Sequence, residues 1–393
     1  MNKNMVISGG GIGGLAAALA CARAGWRVDL LEQSPVFGEV GAGIQLGPNV
    51  VRVLQALGLF DALRQLAAFP ERLEVRNAIS TELLGVLPLG STVEQRYGAP
   101  YVSIARADIH ALLLQAVRAQ GHVGLHLDSR VVAIRQDVEQ VSIQTVQDQH
   151  FEAPLLVGAD GLWSQVRKQV VDNDVPPRVT GHLAFRAMLP QSELPAALRS
   201  QVVTAWMGPD FHAVHYPVRS GEWLNVVCIV HGTVSGDPQS WDHSANAQEL
   251  RSRMTLARGS LHDLIHAISN WRLWPLSDRA PMASAAEHAK GRIALLGDAA
   301  HPMRPYLAQG AGMAIEDAAA LAQCISETPD QIAHALSRYA KLRWQRNARV
   351  QARAIRNGEI YHLKGFRQVG RDLALKLLGA RLMDVPWLYN GPG

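Results

Sequence analysis

Residues 5–14 read Met-Val-Ile-Ser-Gly-Gly-Gly-Ile-Gly-Gly, a short apolar run that leads into a glycine-rich turn. The sequence after it predicts an alanine-rich helix over Leu15–Ala24 and a second strand over Trp26–Leu31, which ends at Glu32. A strand, a glycine turn, a helix and a further strand within about 30 residues form a βαβ unit. This stretch decides the fold class, because such a unit is typical of doubly wound α/β domains.

The glycines of the turn have the spacing of a phosphate-binding motif. Gly9, Gly11 and Gly14 match GxGxxG, with Gly13 between the last two. In this motif the first glycine allows the tight turn, the second admits a pyrophosphate, and the third lets helix and strand pack closely. Glu32 ends the second strand, where a carboxylate accepts hydrogen bonds from ribose hydroxyls. The pattern predicts a bound dinucleotide and leaves both FAD and NAD open.

The composition excludes several other classes of protein. The chain has 393 residues, 48% hydrophobic and 18% charged, as expected for a globular protein of about two domains. Its net charge of +4 is dispersed, so no nucleic-acid-binding tail is predicted. Cys21, Cys228 and Cys324 form no CxxC pair, which indicates a reducing compartment. No apolar run is long enough to span a membrane, and we expect a cytoplasmic protein.

Beyond the opening unit, apolar periodicity predicts further helices and strands. The predicted helices run from a cap at Gly47-Pro48-Asn49 to about Leu66, over Asp108–Gln120, over Gly310–Cys324 and through the remainder to about Leu382. The predicted strands are a hairpin between Gly124 and Val146, the buried runs Leu155–Val157 and Arg292–Leu296, and the alternating segments His182–Leu189, Val202–Met207, His212–Val218 and Trp223–Val230.

These segments predict an α/β fold whose nucleotide-binding part is discontinuous, because buried strands return late in the chain. We expect a Rossmann-like FAD-binding domain, an inserted mixed or antiparallel β-sheet that forms the substrate domain, and C-terminal helices. The predicted ranges are 1–70, 98–175 and 285–330 for the first, 71–97 and 176–284 for the second, and 331–393 for the third.

Three further segments favour FAD over NAD. Gly158-Ala159-Asp160-Gly161 and Gly297-Asp298-Ala299-Ala300-His301-Pro302 each follow a predicted buried strand, and Arg106-Ala107-Asp108 opens a predicted helix. Asp298, at the carboxyl end of a parallel strand, is placed to bind the ribityl chain of a flavin. The helix that opens with Gly310-Ala311-Gly312 would direct its positive end at the flavin and stabilise the anionic reduced form.

On these motifs the chain resembles the single-component flavoprotein aromatic hydroxylases, the class A group related to para-hydroxybenzoate hydroxylase. The segments Gly41–Asn49 and His301–Asp317 are most similar to the branch with salicylate 1-hydroxylase, 3-hydroxybenzoate 6-hydroxylase and 6-hydroxynicotinate 3-monooxygenase. The resemblance covers essentially the whole chain. It implies tightly bound FAD, NADH or NADPH as a transient reductant, and O2 as co-substrate, in aromatic catabolism. It also suggests a homodimer.

The resemblance implies a role for individual residues. By this analogy Glu32 binds the adenosine ribose and Arg106 contacts the FAD. Asp160 belongs to a motif that serves FAD and the pyridine nucleotide, and Asp298 binds the ribityl chain. The full set of expected cofactor-binding residues is Gly9, Gly11, Gly13, Gly14, Glu32, Gln45, Arg106, Asp160, Gly297, Asp298, Gly310, Ala311 and Gly312.

The reaction of this family passes through a C4a-hydroperoxyflavin and needs a base beside the ring hydroxyl of the substrate, in a dry pocket. In the strand Phe211–Pro217, a period of two places His212 and Tyr216 on one face and His215 on the other. In the resembling branch a His and a Tyr at this spacing face the substrate. We therefore expect His212 to be the base or relay and Tyr216 its hydrogen-bonding partner, with His215 as the alternative. No metal site is predicted, because no acidic or Cys ligand has suitable spacing.

Pro305 is the third expected catalytic-site residue, because the loop between the flavin strand and the flavin helix would wall the site. In the resembling branch, the decarboxylating hydroxylases of salicylate and 6-hydroxynicotinate carry Pro here. The 3-hydroxybenzoate 6-hydroxylases carry Gln, which can donate and accept hydrogen bonds. Pro305 therefore favours the decarboxylating type, although Arg304 in the same loop fits either a carboxylate contact or a solvated side chain.

The sequence hypothesis is thus an FAD-dependent, NAD(P)H- and O2-using monooxygenase of a small hydroxylated aromatic carboxylate, salicylate-like or 6-hydroxynicotinate-like. Pro305 favours loss of CO2, and the sequence leaves open whether CO2 is lost. One alternative is a 3-hydroxybenzoate 6-hydroxylase type that retains the carboxylate. Others are a flavin monooxygenase of a non-carboxylate phenol or quinolone, and a non-catalytic flavoprotein whose redox state gates a partner. A basic stripe is expected to be a solvated helix face; it comprises Arg343, Arg346, Arg349, Arg353 and Arg356.

Overall fold

A computed structural model describes residues 3–38, 42–233, 243–245 and 247–391, so Gly41 lies outside the described residues. The strands in these ranges are β1 (Asn4–Ser8), β2 (Arg27–Leu31), β3 (Gly43–Leu46), β4 (Arg72–Asn77), β5 (Leu83–Pro88), β6 (Val102–Ala105), β7 (Val123–His126), β8 (Val131–Gln136), β9 (Val141–Thr145), β10 (His150–Ala153), β11 (Leu156–Gly158), β12 (Arg178–Pro190), β13 (Val203–Gly208), β14 (Phe211–Val218), β15 (Trp223–His231), β16 (His243–Ala245), β17 (Trp271–Asp278), β18 (Ala289–Lys290) and β19 (Ile293–Leu295).

The helices in the same ranges are α1 (Ile12–Arg23), α2 (Pro48–Ala56), α3 (Phe60–Leu66), α4 (Gly90–Tyr97), α5 (Arg106–Arg118), α6 (Arg167–Val170), α7 (Ala247–Arg253), α8 (Gly259–Ala267), α9 (Gly310–Glu327), α10 (Ile332–Tyr361), α11 (Gly365–Leu378), α12 (Ala380–Met383) and α13 (Pro386–Tyr389). Within this part of the chain, none of these helices is both long and apolar enough to cross a lipid bilayer.

The opening βαβ unit forms the centre of a six-stranded sheet with the order β18-β19-β11-β1-β2-β7. The strands from β19 to β7 run parallel, and β18 is antiparallel at the edge. A parallel sheet must be covered on both faces. On one face α1 and α9, which pack side by side, bury apolar side chains such as Leu15 and Ile315. On the other face Val6 and Leu156 of the sheet pack with Val141 and Ile143 of β9. The α/β fold expected from the glycine turn is confirmed.

The second layer is an eight-stranded sheet with the order β16-β17-β12-β15-β14-β13-β4-β5. Its pairs are antiparallel except for β13 and β4, so the sheet is mixed, as expected. One face packs on α7 and α8 through apolar residues such as Leu250 and Leu264. The other face contributes Val214, Tyr216 and Ile229 to apolar clusters shared with the loop after β19 and with the C-terminal region.

Two predicted elements differ from the structure. The helix predicted to run to about Leu66 is two helices, α2 and α3, because Gly58 adopts a left-handed φ of +57° between them. The predicted hairpin between Gly124 and Val146 is also wrong in its first strand. β7 ends shortly before Asp128, which has a φ of +52°, and β7 pairs in parallel with β2. The hairpin is formed by β8 and β9 instead.

The expectation that the basic stripe is a solvated face is wrong for Arg343 and Arg346. Arg343 is fully buried, with Nε 2.7 Å from Asp317 Oδ1 and Nη1 2.9 Å from Glu316 Oε2. Arg346 Nε lies 2.7 Å from Glu316 Oε2. These arginines join α10 to α9, because two buried carboxylates on α9 need positive partners. Sequence periodicity does not reveal the acids that the arginines meet.

Candidate active site

The glycine turn excludes side chains at two positions and leaves space at a third. A Cβ at Gly14 would lie 1.9 Å from the carbonyl oxygen of Gly9, and a Cβ at Gly9 would lie 2.3 Å from that of Ala159. At Gly11, the residue before α1, a Cβ would meet no atom of the described residues within 4 Å. The structure therefore leaves room in front of the first N–H groups of α1, the feature that suits this motif to a pyrophosphate.

The carboxylate of Glu32 is held beside this turn. Its Oε2 accepts a hydrogen bond from the N–H of Gly10 at 2.6 Å, and its Oε1 accepts from the N–H of Ser34 at 2.8 Å. A carboxylate has about four acceptor positions, so further positions remain for ribose hydroxyls. Glu32 is thus fixed in orientation, and its predicted contact with the adenosine ribose fits the geometry.

The motifs predicted to bind FAD converge at one edge of the six-stranded sheet. Gly9, Asp160 and Asp298 follow β1, β11 and β19 in the chain, and these three strands are parallel neighbours. The carboxyl ends of parallel strands are where α/β sheets bind nucleotides. Asp298 is exposed in a short turn after β19, as a ribityl-binding carboxylate would have to be.

Asp160 differs from the other two, because both of its oxygens are engaged within its own loop. Oδ1 accepts from the hydroxyl of Ser164 at 2.5 Å, and Oδ2 accepts from the N–H groups of Gln165 and Val166 at 2.8 and 3.2 Å. Burial nevertheless raises the pKa of Asp160. Its carboxylate organises the turn that leads into α6. A role of Asp160 in binding FAD and the pyridine nucleotide stays a prediction.

Gln45 lies on β3 of the small sheet of β3 and β6, which links the two large sheets, and Arg106 is the first residue of α5, directly after β6. The N–H of Arg106 donates to the carbonyl of Ala42 at 2.8 Å, and the hydroxyl of Tyr101 donates to Gln45 Oε1 at 2.7 Å. The N–H of Gly43 in turn donates to Asn225 Oδ1 on β15 at 2.6 Å. Both predicted FAD contacts are thus placed between the glycine turn and the eight-stranded sheet.

The start of the predicted flavin helix is tightly packed. α9 begins at Gly310, with Ala311 in its first turn, and a Cβ at Gly312 would lie 2.7 Å from Val50 of α2. The loop before α9 is tied to the helix at Asp317, whose Oδ2 accepts a hydrogen bond from the N–H of Gly297 at 3.1 Å and lies 2.5 Å from His301 Nε2. A fixed helix start is what an anionic ring system requires.

The residues at the glycine turn, the three strand ends and the start of α9 therefore fit FAD. Gly9 and Gly14 exclude side chains, Gly11 leaves space, and carboxylates stand where ribose and ribityl hydroxyls would need acceptors. Gly13 completes the close packing, since a Cβ there would lie 2.9 Å from Leu296. The individual cofactor contacts remain predictions.

The predicted alternation along β14 is confirmed by the packing. His215 lies beside Trp206, with ring centroids 6.5 Å apart, on the face that packs against α7 and α8. His212 is on the opposite face, 5.1 Å from the ring of Tyr306 and 5.3 Å from that of Tyr361. That face is the one directed at the small sheet and the loop after β19, so the geometry favours His212 over His215 as the site histidine.

The predicted hydrogen bond between His212 and Tyr216 is wrong. Nδ1 of His212 lies 2.7 Å from Nε2 of His362, and the hydroxyl of Tyr216 is hydrogen-bonded to Gln45. The reason is the strand repeat: four residues of β14 separate the two side chains by about 13 Å along the strand, beyond hydrogen-bond reach. Tyr216 is nonetheless buried on the same face.

The structure adds one charged residue that sequence reasoning missed. Arg186 lies on β12 between Phe185 and Ala187, which pack on the α8 side, so its side chain points to the same face as His212. Its guanidinium carbon is 4.9 Å from the ring of Trp274, and among the described residues its buried Nε has no hydrogen-bond partner. A single arginine within the apolar run of β12 was the signal that could have identified it.

Burial shapes the acid–base properties of this face. It lowers the pKa of Arg186 to about 10, so the guanidinium remains charged at neutral pH. It lowers the pKa of His212 far below the usual value of a histidine, with the neighbouring His362 and His182 adding to the effect. The face therefore presents a positive charge at one point and a neutral imidazole at another.

Pro305 opens a short 3₁₀ turn, Pro305–Leu307, in the loop between β19 and α9. Pro305 is exposed, and Tyr306 next to it is buried with its hydroxyl hydrogen-bonded to Nδ1 of His182 on β12. The neighbouring Arg304 is not solvated, because its Nε lies 2.7 Å from Asp278 Oδ2. This loop borders the face of the sheet that carries His212, as expected from its position in the chain.

Comparisons with known proteins agree with this architecture. A family model described as an FAD binding domain matches residues 3–354. A 3-hydroxybenzoate 6-hydroxylase from Polaromonas naphthalenivorans is 39% identical over 392 residues, covering 98% of this chain and 95% of the relative. A 6-hydroxynicotinate 3-monooxygenase from Bordetella bronchiseptica is 34% identical over 349 residues, covering 88% and 89%.

A solved structure described as a salicylate hydroxylase substrate complex is similar over nearly the whole length. It is 26% identical and has a TM-score of 0.82, with 98% of this chain and 95% of that chain covered. The match of the family model and the identity to full-length relatives agree with the glycine turn and the strand-end motifs. The chain therefore belongs to the class A flavin monooxygenases and is an FAD-dependent, NAD(P)H-using aromatic monooxygenase.

Proposed function

We propose that this enzyme hydroxylates the ring of a monohydroxylated benzoate of the 3-hydroxybenzoate type and retains the carboxylate. The observation that carries the proposal is the placement of Arg186 and His212 on one face of the eight-stranded sheet. They lie on β12 and β14, on either side of β15, and are offset by one two-residue step. Strand geometry puts their Cα atoms about 12 Å apart, a separation that a hydroxybenzoate with its carboxylate at one end and its hydroxyl toward the other would bridge.

In this proposal Arg186 binds the carboxylate of the substrate. A guanidinium is planar and presents several N–H donors, which suits a carboxylate. Among the described residues the Nε of Arg186 has no hydrogen-bond partner, and the guanidinium is oriented by its packing on Trp274. An aromatic acid is thus preferred over a neutral phenol, because a neutral ligand would leave the arginine unpaired.

His212 is proposed to accept the proton of the ring hydroxyl. Its Nδ1 is engaged by His362, so Nε2 is the nitrogen left for the substrate. Because burial keeps the imidazole neutral, it is ready to act as a base at neutral pH. Tyr216, on the same face and tied to Gln45, is proposed to orient the ring from the cofactor side.

FAD, when bound, supplies the oxygen-transfer chemistry after reduction by NAD(P)H. The residues proposed to hold it are the glycines of the turn, Glu32, Asp298 and the start of α9. The chain's own contribution at the ring is to keep the site dry, with Tyr306 and Tyr361 packed beside His212. Exclusion of water protects an activated ring and a reactive oxygen donor from side reactions.

A second candidate is the decarboxylating type, which Pro305 favours. Proline offers a carbonyl acceptor and no N–H donor at a position that borders the site. The greater overall identity to the relative named as a 3-hydroxybenzoate 6-hydroxylase, 39% against 34%, supports the first candidate. Overall identity is the stronger argument than a single loop position, because the fate of the carboxylate depends on how the whole site orients the ring.

The test is to follow NADH and NADPH oxidation by the FAD-loaded enzyme with 3-hydroxybenzoate, salicylate, 6-hydroxynicotinate and phenol, and to determine the product mass. The proposal expects strong stimulation by 3-hydroxybenzoate and a product heavier by one oxygen atom. A product that has gained oxygen and lost CO2 would establish the second candidate. Equal stimulation by phenol would overturn the role of the carboxylate.

A further inference from the structure

Three histidines form an unbroken hydrogen-bonded series that starts at the proposed base. Nδ1 of His212 is 2.7 Å from Nε2 of His362, and Nδ1 of His362 is 3.0 Å from Nε2 of His231. The three side chains come from three different elements: His212 from β14, His362 from the residue after α10, and His231 from the last position of β15. Sequence reasoning missed His362 and His231, because no motif connects them to His212.

The series extends from the interior to the surface. His212 is 3% exposed and His362 is 8% exposed, whereas His231 is exposed. Both ring nitrogens of His362 are used, one toward each neighbour. An imidazole in this position can accept a proton on one nitrogen while it donates from the other.

A base in this environment needs an outlet for its proton. Burial lowers the pKa of His212 far below its usual value and lowers that of His362 to about 3, with neighbouring histidines adding to both effects. Neither imidazole can therefore store a positive charge at neutral pH. A proton taken from a substrate must move on as it arrives, or it returns to the phenolate.

We propose that His212, His362 and His231 are a proton relay that carries the ring-hydroxyl proton of the substrate to solvent. This inference rests on the proposed function, in which His212 is the base. The phenol O–H bond breaks and a bond forms at Nε2 of His212, while the proton on Nδ1 passes to Nε2 of His362. The proton on Nδ1 of His362 passes to Nε2 of His231, and His231 releases its Nδ1 proton to water.

In this sequence one proton leaves the substrate and one enters solvent, and each imidazole ends in its other tautomer. No nitrogen gains a net charge once the transfer is complete, which suits a buried path. At the exposed end, burial lowers the pKa of His231, the carboxylate of Asp210 opposes this effect, and Lys364, which pairs with Asp210, adds to it. Because His231 is exposed, water can take up the proton that reaches this end of the series.

The same region offers a competing interpretation, a metal site. Nitrogen atoms of His182, His231 and His362 lie within 4.8 Å of one another. The hydrogen bonds favour the relay, because a cation would need the lone pair of Nδ1 of His362 or of Nε2 of His231, which now share a proton. Nδ1 of His182 is also engaged by the hydroxyl of Tyr306.

The test measures proton release directly. FAD-loaded enzyme is mixed anaerobically with its aromatic substrate in weak buffer with a pH-indicator dye, and release is followed by stopped flow. The relay predicts that His231→Ala and His362→Ala slow release by about tenfold or more, in the range of general-base effects. Added imidazole should restore the rate in His231→Ala, whose vacated position opens to solvent, more than in His362→Ala. His266→Gln, at an exposed position of α8, is the control and should release protons at the wild-type rate.

The outcomes separate this inference from the proposed function. Wild-type hydroxylation with unaltered proton release in both alanine variants would leave the function standing and overturn the relay. Slow release that imidazole does not restore in His231→Ala would indicate a structural effect and would also overturn it. Stoichiometric zinc in the purified protein, with activity lost on chelation, would replace the relay by a metal site.

Discussion

Arg343 Nε and Asp317 Oδ1 lie 2.7 Å apart, and neither side chain has any exposed surface. Burial alone would raise the pKa of Asp317, but the neighbouring His301 and Arg343 hold it well below its usual range. The same carboxylate accepts a hydrogen bond from the N–H of Gly297. The pair therefore connects the C-terminal helix α10 to the loop that carries Asp298.

Arg343→Met is expected to destabilise the protein by about 3–5 kcal/mol, because it leaves a buried carboxylate without its partner. The loop at Gly297 should lose its anchor, so FAD affinity should fall as well. Chemical denaturation and flavin titration measure the two effects. Arg338→Met on the same helix is the control: its pair with Glu327 is about 40% exposed, so it should cost under about 1 kcal/mol. Equal losses in the two variants would refute the assignment.

Gly11→Ala is expected to weaken FAD binding without harming the fold. A Cβ at this position meets no atom of the described residues within 4 Å, and the φ of −71° suits alanine. The gain from a less flexible unfolded chain and the loss of glycine at the N-cap oppose each other, so the free energy of unfolding of the apoprotein should change by less than about 1 kcal/mol. The methyl group would occupy the space proposed for the pyrophosphate. Gly121→Ala, where a Cβ also meets no atom, is the matched control and should keep FAD. Unchanged flavin affinity in Gly11→Ala would show that the pyrophosphate does not bind at this position.

His212→Gln is expected to bind FAD normally and to lose hydroxylation by about 10²- to 10⁴-fold, the usual contribution of a general base. NADH consumption and product yield should be measured together, since consumption without product signals uncoupling. His215→Gln tests the face of β14, because His215 is equally buried but lies beside Trp206 on the other side of the sheet. A larger catalytic loss in His215→Gln would reverse the assignment.

Arg186→Met is expected to raise KM for the aromatic acid by about 10- to 100-fold, from the loss of a charge-assisted hydrogen bond. Arg186→Lys should recover part of the loss, because it keeps the charge without the planar fork. The carboxylate-free analogue phenol provides the control, and its weak turnover should not fall further in Arg186→Met. If KM for the acid stays constant, the carboxylate binds elsewhere.

Acidification is expected to destabilise the protein below about pH 6.5. Burial, with neighbouring histidines adding to it, lowers the pKa of His182 to about 4 and that of His362 to about 3. The unfolded chain binds protons at these histidines from about pH 6.5 downward, while the folded chain does not. Stability is therefore fully present above about pH 6.5 and falls toward pH 4.

Thermal melting between pH 7 and 5 measures this effect before most carboxylates are protonated. Tm should fall across the interval, and the fall should be shallower in His362→Gln, which removes one of the responsible groups. His262→Gln, at an exposed position of α8, should keep the wild-type slope. A flat Tm in the wild type would contradict the burial of neutral imidazoles.

The parts of the fold predicted from sequence are those encoded by local spacing. The glycine turn, the strands of the substrate sheet and the start of α9 are each specified within about ten residues, and the two faces of β14 follow from a period of two. Two boundaries were wrong at Gly58 and Asp128, where a single positive φ ends an element. The spacing of apolar residues carries no information about the sign of φ at a single residue.

The parts of the site that were missed depend on contacts between distant segments. Arg343 meets its acids 26 and 27 residues away, and His212 meets His362 at a separation of 150 residues. Helical spacing alone predicts a solvated row of arginines, because it does not show which carboxylates of another helix pack against them. Likewise, a hydrogen bond between His212 and Tyr216 was inferred from proximity in sequence, whereas the strand repeat separates them.

The order of the six-stranded sheet also constrains synthesis of the protein. β1 leaves the ribosome first, yet its neighbour β11 acquires its other partner, β19, after nearly 300 residues have been translated. The apolar helix α1 is covered by α9, which arrives later still. The nascent chain must therefore carry an uncovered nucleotide-binding half through most of translation, a state that favours chaperone engagement and aggregation. Slow translation, low temperature and riboflavin-rich medium should raise the yield of folded holoenzyme in recombinant expression.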